Sequence, residues 1–164
     1  MNRRYVLLAG GAALGSIGLS RYSLGEKQDM TLSKQTFEVT KTENEWRTIL
    51  TPAQFLVLRQ HGTERAGSSP LDKQYDAGTY GCAGCDLPLF PSSTKFNSGT
   101  GWPSFYAPIE GAIGTTTDRS LFIARTEVHC RRCGGHLGHV FNDGPAPTGQ
   151  RYCMNGVSLK FVPA

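Results

Sequence analysis

From Gln74 to the C-terminus, short apolar or alternating runs recur. "SLFIARTEVHC", "GHVFND" and "VSLKFV" are separated by Gly, Pro, Asn and Asp. Apolar residues at every second position put one side of a strand in a core and the other in water. Turn formers every few residues break such a segment into many short strands. The pattern predicts an antiparallel β region. Upstream the period changes. "TENEWRTIL" opens on Thr42 and carries Glu45 three positions later, and "TPAQFLVLRQHGTE" repeats that logic with Thr51 as cap, Pro52 at the first helical position and Gln54 three positions after the cap. Both are capping boxes, in which cap and third helical residue satisfy each other's backbone N–H. Phe55, Leu56 and Leu58 supply an apolar face and Gly62 a stop, so two short helices are predicted. "ERAGSSPLD" reads as loop. The chain holds no repeat beyond two CxxC units and no low-complexity segment.

At 164 residues and 38% hydrophobic, the chain suits one domain with a real core, and its 20 glycines and nine prolines fit many tight turns. The formal charge of +4 suggests a basic protein, but Arg3, Arg4 and Arg21 all fall in the first 25 residues, which contain no acid. From Glu26 onward 14 Lys and Arg face 13 Asp and Glu, a net charge of +1. Nothing in that balance calls for nucleic acid as a partner. The opening "MNRRYVLLAGGAALGSIGLSRYSLG" sets two arginines before an apolar run, the layout of an export signal, and the Arg3–Arg4 pair resembles the twin-arginine type. The alternative is an uncleaved apolar tether. The reading is therefore an export signal over 1–25, a linker or peripheral arm over 26–41 and a single domain over 42–164. A periplasmic or otherwise exported location follows, where surroundings are oxidising.

Oxidising surroundings bear on the cysteines. Cys82-Ala-Gly-Cys85 and Cys130-Arg-Arg-Cys133 are C-x2-C units separated by 44 residues. Two such turns brought together make the closed tetrahedral S4 site that structural zinc prefers, and a zinc there contributes directly to folding. The competing readings are two disulfides or a redox-active CxxC. Redox motifs open a helix in a βαβ setting, and no such pattern surrounds either pair. Zinc is the favoured reading, which leaves a fifth cysteine.

Cys153, in "GQRYCMNGVS", is a buried inert thiol, an intermolecular disulfide partner or a reactive thiolate. Its neighbours favour the third. Arg151 lies two residues earlier, on the same face of a strand, where its charge favours the thiolate, and Asn155 lies two residues later with an amide to hold substrate or water. "GGHLGHVFNDGPAPTG" adds His136 and His139 at a spacing of three. Alone the pair reads as weak metal ligation or loop polarity; beside a thiolate it reads as a source of protons near neutral pH. His61 and His129 have no such context and receive no role.

"GTYGCAGCDLPLF", "SGTGWPSF" and "HCRRCGGHLGHVFNDGPAPTGQRYCMNGVSLKF" together resemble the methionine sulfoxide reductase B family, over about residues 42–162. The resemblance implies reduction of the R-epimer of methionine sulfoxide in oxidised proteins and peptides. It implies a mainly β fold of two small antiparallel sheets with the short N-terminal helices against them; the chain is expected to act as a monomer. Cys82, Cys85, Cys130 and Cys133 would hold one structural zinc, and Cys153 would be the nucleophile. His136 and His139 would hydrogen-bond the sulfoxide oxygen, directly or through water, and help protonate it. Trp102 would pack its ring against the substrate methyl group; Asn155, Arg151 and Asp143 would support, with Asp143 orienting the histidine loop. Many members keep a second, resolving cysteine within "SGTGWPSF", where this chain has Thr100. A sulfenic acid on Cys153 would then be reduced directly by an external thiol, from a thioredoxin-like protein or a glutathione or glutaredoxin system. The rival classes are a non-catalytic zinc-ribbon binding module and a CxxC thiol oxidoreductase.

Overall fold

In the computed structural model, residues 36–121 and 123–164 are described. The segment read as an export signal and the first part of the 26–41 arm lie outside them. Residues 36–41 run beside the second CxxC turn: Val39 N–H donates to Arg132 O at 2.9 Å, and the Phe37 ring meets His129 edge-on at 5.8 Å.

Both capping boxes form in full. Thr42 Oγ1 accepts from Glu45 N–H at 3.3 Å while the Glu45 carboxylate accepts Thr42 N–H at 2.7 Å, which opens α1 (Glu43–Ile49). Thr51 and Gln54 do the same for α2 (Pro52–Gln60). Each cap is worth about 1 kcal/mol. Two details depart from the sequence reading. Leu56 faces outward at 49% exposure while Val57 is buried. Both residues flank the Phe55–Leu58 stripe at equal angles, so the period alone cannot choose between them. The stop also sits one residue earlier than Gly62. His61 adopts the left-handed conformation at φ 55, and Gly62 N–H reaches back to Leu56 O at 3.0 Å.

Among the described residues the strands are β1 (Gly78–Cys82), β2 (Pro88–Pro91), β3 (Lys95–Phe96), β4 (Ser104–Phe105), β5 (Ile113–Leu121), β6 (Ile123–Cys130), β7 (His136–Phe141), β8 (Arg151–Met154) and β9 (Leu159–Pro163). They form a three-stranded sheet in the order β2-β1-β9 and a six-stranded sheet in the order β3-β4-β8-β7-β6-β5, antiparallel throughout. The expected fold class, mainly β in two antiparallel sheets with two short helices, is the observed one. Tyr80, Phe90 and Phe105 are fully buried where the sheets meet, with Phe90 stacked on Phe105 at 4.4 Å and Tyr80 edge-on to Phe105 at 4.9 Å. In the same core, Trp46 and Leu58 bring the helices against the cysteine turns. The larger sheet thus has one face on the core and another free for chemistry.

Candidate active site and metal centre

The two CxxC turns converge. Cys82 and Cys133 Sγ are 3.7 Å apart and Cys85 and Cys130 Sγ 3.5 Å, with all four sulfurs within 4.8 Å of one another. A tetrahedron with zinc–sulfur bonds near 2.3 Å has edges of about 3.8 Å, so the four thiols fit the ion. The close pairs join one turn to the other, well beyond bonding distance, and all five cysteines are free thiols. Disulfides within the CxxC units are therefore not the arrangement. Each turn closes on its own backbone, Asp86 N–H to Cys82 O and Gly134 N–H to Cys130 O at 2.9 Å, and Gly84 N–H points at Cys82 Sγ at 3.4 Å. The packed thiols polarise one another: hydrogen bonds from Cys133 and Cys82 push Cys130 far below the ordinary thiol range, and its bond to Cys130 pushes Cys82 far above.

Strand register builds the second site. Thr116↔Glu127, Glu127↔His139, His139↔Cys153 and Cys153↔Ser104 are successive cross-strand partners. Opposed residues on antiparallel strands project to one face, so β5, β6, β7, β8 and β4 contribute one side chain each to a single row. Two residues along, Asp118↔Arg125 and Phe141↔Arg151 pair on the same face. The backbones approach closely here: a Cβ on Gly138 would collide with Cys153 O. A cavity of about 190 Å³ opens on this face, lined by Trp102, Arg125, His139, Phe141, Cys153 and Asn155.

Cys153 Sγ lies 3.9 Å from Thr100 Oγ1, and Ser98 Oγ bonds both Thr100 Oγ1 at 2.8 Å and Ser104 Oγ at 2.7 Å. Burial pushes the Cys153 thiol up, against the Thr100 hydroxyl, the Arg151 charge and Ser104, which favour the thiolate. Burial outweighs the Arg151 charge. The guanidinium forms a bidentate pair with Asp143 (2.8 and 2.9 Å) and lies over the Phe141 ring at 4.4 Å.

That pair corrects the role given to Asp143. Its carboxylate is 64% exposed and holds Arg151, not the histidine loop. The histidines are oriented by two acids the sequence did not single out. Asp118 Oδ2 bonds His139 Nε2 at 2.8 Å and also Arg125 at 2.6 Å; Glu127 Oε1 bonds His136 Nδ1 at 2.7 Å. Burial pulls His139 below the usual imidazole range and Asp118 opposes it. Glu127 is pulled up by burial, but bonds from His136 and Thr116 and the charges of His61 and His136 bring it down to about 2. His139 lines the cavity of Cys153, whereas His136 stands behind it, 98% buried, with Nε2 unpartnered, on a second cavity of about 250 Å³. His61, set aside in the sequence, reaches Glu127 Oε1 at 2.9 Å through Nδ1.

Asn155 is committed to the backbone, its Nδ2 donating to Leu137 O at 3.0 Å and its Oδ1 accepting from Glu64 N–H at 2.9 Å. Glu64, also missed, ties the cavity wall together. Its carbonyl accepts from Trp102 Nε1 at 3.2 Å and its carboxylate accepts the Gly156 and Val157 N–H groups. The parity of β6 was the one signal available for Glu127: it occupies the polar side of "RTEVHC". Asp118 and Glu64 carried none.

The model of the SelR domain matches residues 50–163. Among curated relatives, the peptide methionine sulfoxide reductase MsrB of Leptospira interrogans is 55% identical over 126 residues, covering 76% of this chain and 96% of that one. The MsrB of Pseudomonas putida is 56% identical over 127 residues (77% and 96%), and the chloroplastic peptide methionine sulfoxide reductase B1 of Arabidopsis thaliana is 47% identical over 152 residues (88% and 75%). The chain belongs to the SelR-domain family, among the MsrB-type peptide methionine sulfoxide reductases.

Proposed function

We propose that the protein reduces methionine-R-sulfoxide in oxidised proteins and peptides, with Cys153 as nucleophile and an external thiol as the direct reductant. The observation that carries this reading is the register of β7 and β8, which sets Cys153 opposite His139 in a cavity whose wall includes the Trp102 ring. The activity for which the relatives are named supports the same chemistry, and the choice of the R-epimer rests on the family alone.

The Cys153 thiolate attacks the sulfoxide sulfur while His139, oriented by Asp118 and backed by His136, supplies a proton to the oxygen. An unprotonated sulfoxide oxygen leaves poorly, so acid and nucleophile must converge on one group. The oxygen passes to the cysteine sulfur. The substrate sulfur gains two electrons and leaves as methionine; Cys153 loses two and becomes a sulfenic acid carrying the proton. One external thiol then forms a mixed disulfide with Cys153 and releases water, and a second thiol frees Cys153. Trp102 holds the substrate methyl group, and Arg151 assists thiolate formation. Cys82, Cys85, Cys130 and Cys133 would hold a zinc ion, which would supply structural cross-linking.

Recycling without an internal thiol is supported by the count of cysteines. Four of five are gathered in the sulfur cluster, and Thr100 faces Cys153 where a resolving thiol would stand. The donor is a thioredoxin-like protein or a glutathione or glutaredoxin system, met outside the cytoplasm if the Arg3–Arg4 segment directs export.

Separate R and S sulfoxide peptides, assayed with dithiothreitol, test the activity. Reduction of the R-peptide alone is expected, with loss of turnover and retained zinc in Cys153→Ser. Turnover of the S-peptide alone would overturn the reading. A single turnover without added thiol should leave Cys153 as sulfenic acid; an intramolecular disulfide would reject the recycling route.

A further inference from the structure

We propose that His61, Glu127 and His136 form a second metal site, taking a transition-metal dication through two imidazole nitrogens and one carboxylate oxygen. His61 Nδ1 and His136 Nδ1 lie 2.9 and 2.7 Å from the same oxygen, Glu127 Oε1, and the three ligand atoms are all within 4.8 Å of one another. The other carboxylate oxygen is held by Thr116 Oγ1, which leaves Oε1 as a single, fixed donor. Two imidazoles and a carboxylate are the ligand set of open zinc sites, and this donor chemistry selects zinc, cobalt or nickel over magnesium or calcium.

Two N–H donors now converge on one oxygen. A cation replaces those two protons, and the ligand atoms must open to about 3.3 Å for tetrahedral bonds near 2.0–2.1 Å. His61 can supply the movement. Its side chain is 65% exposed and sits at the free end of α2, whereas those of Glu127 and His136 are 11% and 2% exposed. The fourth position opens toward the polar cavity of about 250 Å³ that these residues line with Asp118 and His139, room enough for water. The site shares no residue with the four-cysteine centre. Its affinity falls in acid, because the imidazoles must give up protons to bind.

Metal binding stands independently of the reductase reading; its consequence rests on that reading. A cation on His136 fixes the imidazole packed edge-on against His139, ring centroids 5.4 Å apart, and places positive charge beside the acid, so occupancy inhibits turnover reversibly.

The test adds Co²⁺ to the zinc-loaded protein and follows visible absorption at pH 7.5 and 5.5, with zinc content measured alongside. One cobalt per chain should bind with weak nitrogen–oxygen bands, unchanged in Cys153→Ser. Binding should weaken at least about tenfold in His61→Gly, which suits the left-handed position but offers no ligand, and should weaken similarly at the lower pH. Cobalt should slow single-turnover sulfoxide reduction in the parent and not in His61→Gly. Intense thiolate bands, displaced zinc, equal affinity in His61→Gly or no saturation by about 1 mM would each overturn the site. Binding without inhibition would overturn its regulatory consequence alone.

Discussion

Cys153 and His139 stand directly opposite each other on neighbouring antiparallel strands, with Asp118 bonded to His139 Nε2 at 2.8 Å. Asp118 favours the protonated ring against the burial that disfavours it. Asp118→Asn removes that support, so His139 gives up its proton at lower pH. The basic limb of the kcat/KM profile should move down by about one pH unit, with a fall in kcat at pH 7.5. A profile identical to the parent's would show that His139 is not the acid Asp118 serves.

Thr100→Cys should convert the recycling route. Thr100 Oγ1 is 3.9 Å from Cys153 Sγ, and a thiol there needs only a small closing movement to reach a sulfenic acid. One turnover without external thiol should then leave a disulfide between the introduced thiol and Cys153, read by mass spectrometry as loss of both free thiols. Persistence of the sulfenic acid in that variant would mean the two positions do not meet.

Much of this was legible in the sequence. The capping boxes predicted both helices because the cap is a local interaction of four residues. The paired C-x2-C units predicted the sulfur cluster because each turn presents its two thiols by itself. Cross-strand partners were not legible. Asp118 meets His139, and Glu64 meets Trp102 and the turn after Cys153, only once strand register and loop path are set. Asp143 shows the same limit: the resemblance implied that it orients the histidine loop, but its carboxylate is claimed by Arg151 across the β7–β8 connection. His61 has no chemical context along the chain and meets Glu127 only once α2 is set against β6.

Stripping zinc with a strong chelator should unfold the protein. Structural zinc of this kind contributes on the order of 10 kcal/mol, and the helices pack directly on the cysteine turns: Leu58 and Trp46 side-chain atoms each lie 3.6 Å from where a Cβ on Gly84 would stand. Circular dichroism and the thermal midpoint should collapse together with zinc loss. An unchanged midpoint in metal-free protein would contradict the structural role.

Glu127 should make stability acid-sensitive. Its folded value of about 2 lies below the ordinary 4.5. The stabilisation is therefore fully present above about pH 4.5 and is lost as pH falls toward 2. Glu127→Gln should cost on the order of 2 kcal/mol at pH 7, after allowance for solvent screening. The gap from the parent in urea midpoints should narrow between pH 4.5 and pH 2. A pH-independent gap would assign the loss to packing instead of charge.

The row from Thr116 through Glu127, His139 and Cys153 to Ser104 spans five strands, and alternation along each strand decides which side these groups occupy. A single residue added within β7 or β8 would turn every group beyond it toward the hydrophobic interior. The connections carry no such parity, so lineages of this fold are free to vary in loop length while strand length stays locked to the chemistry.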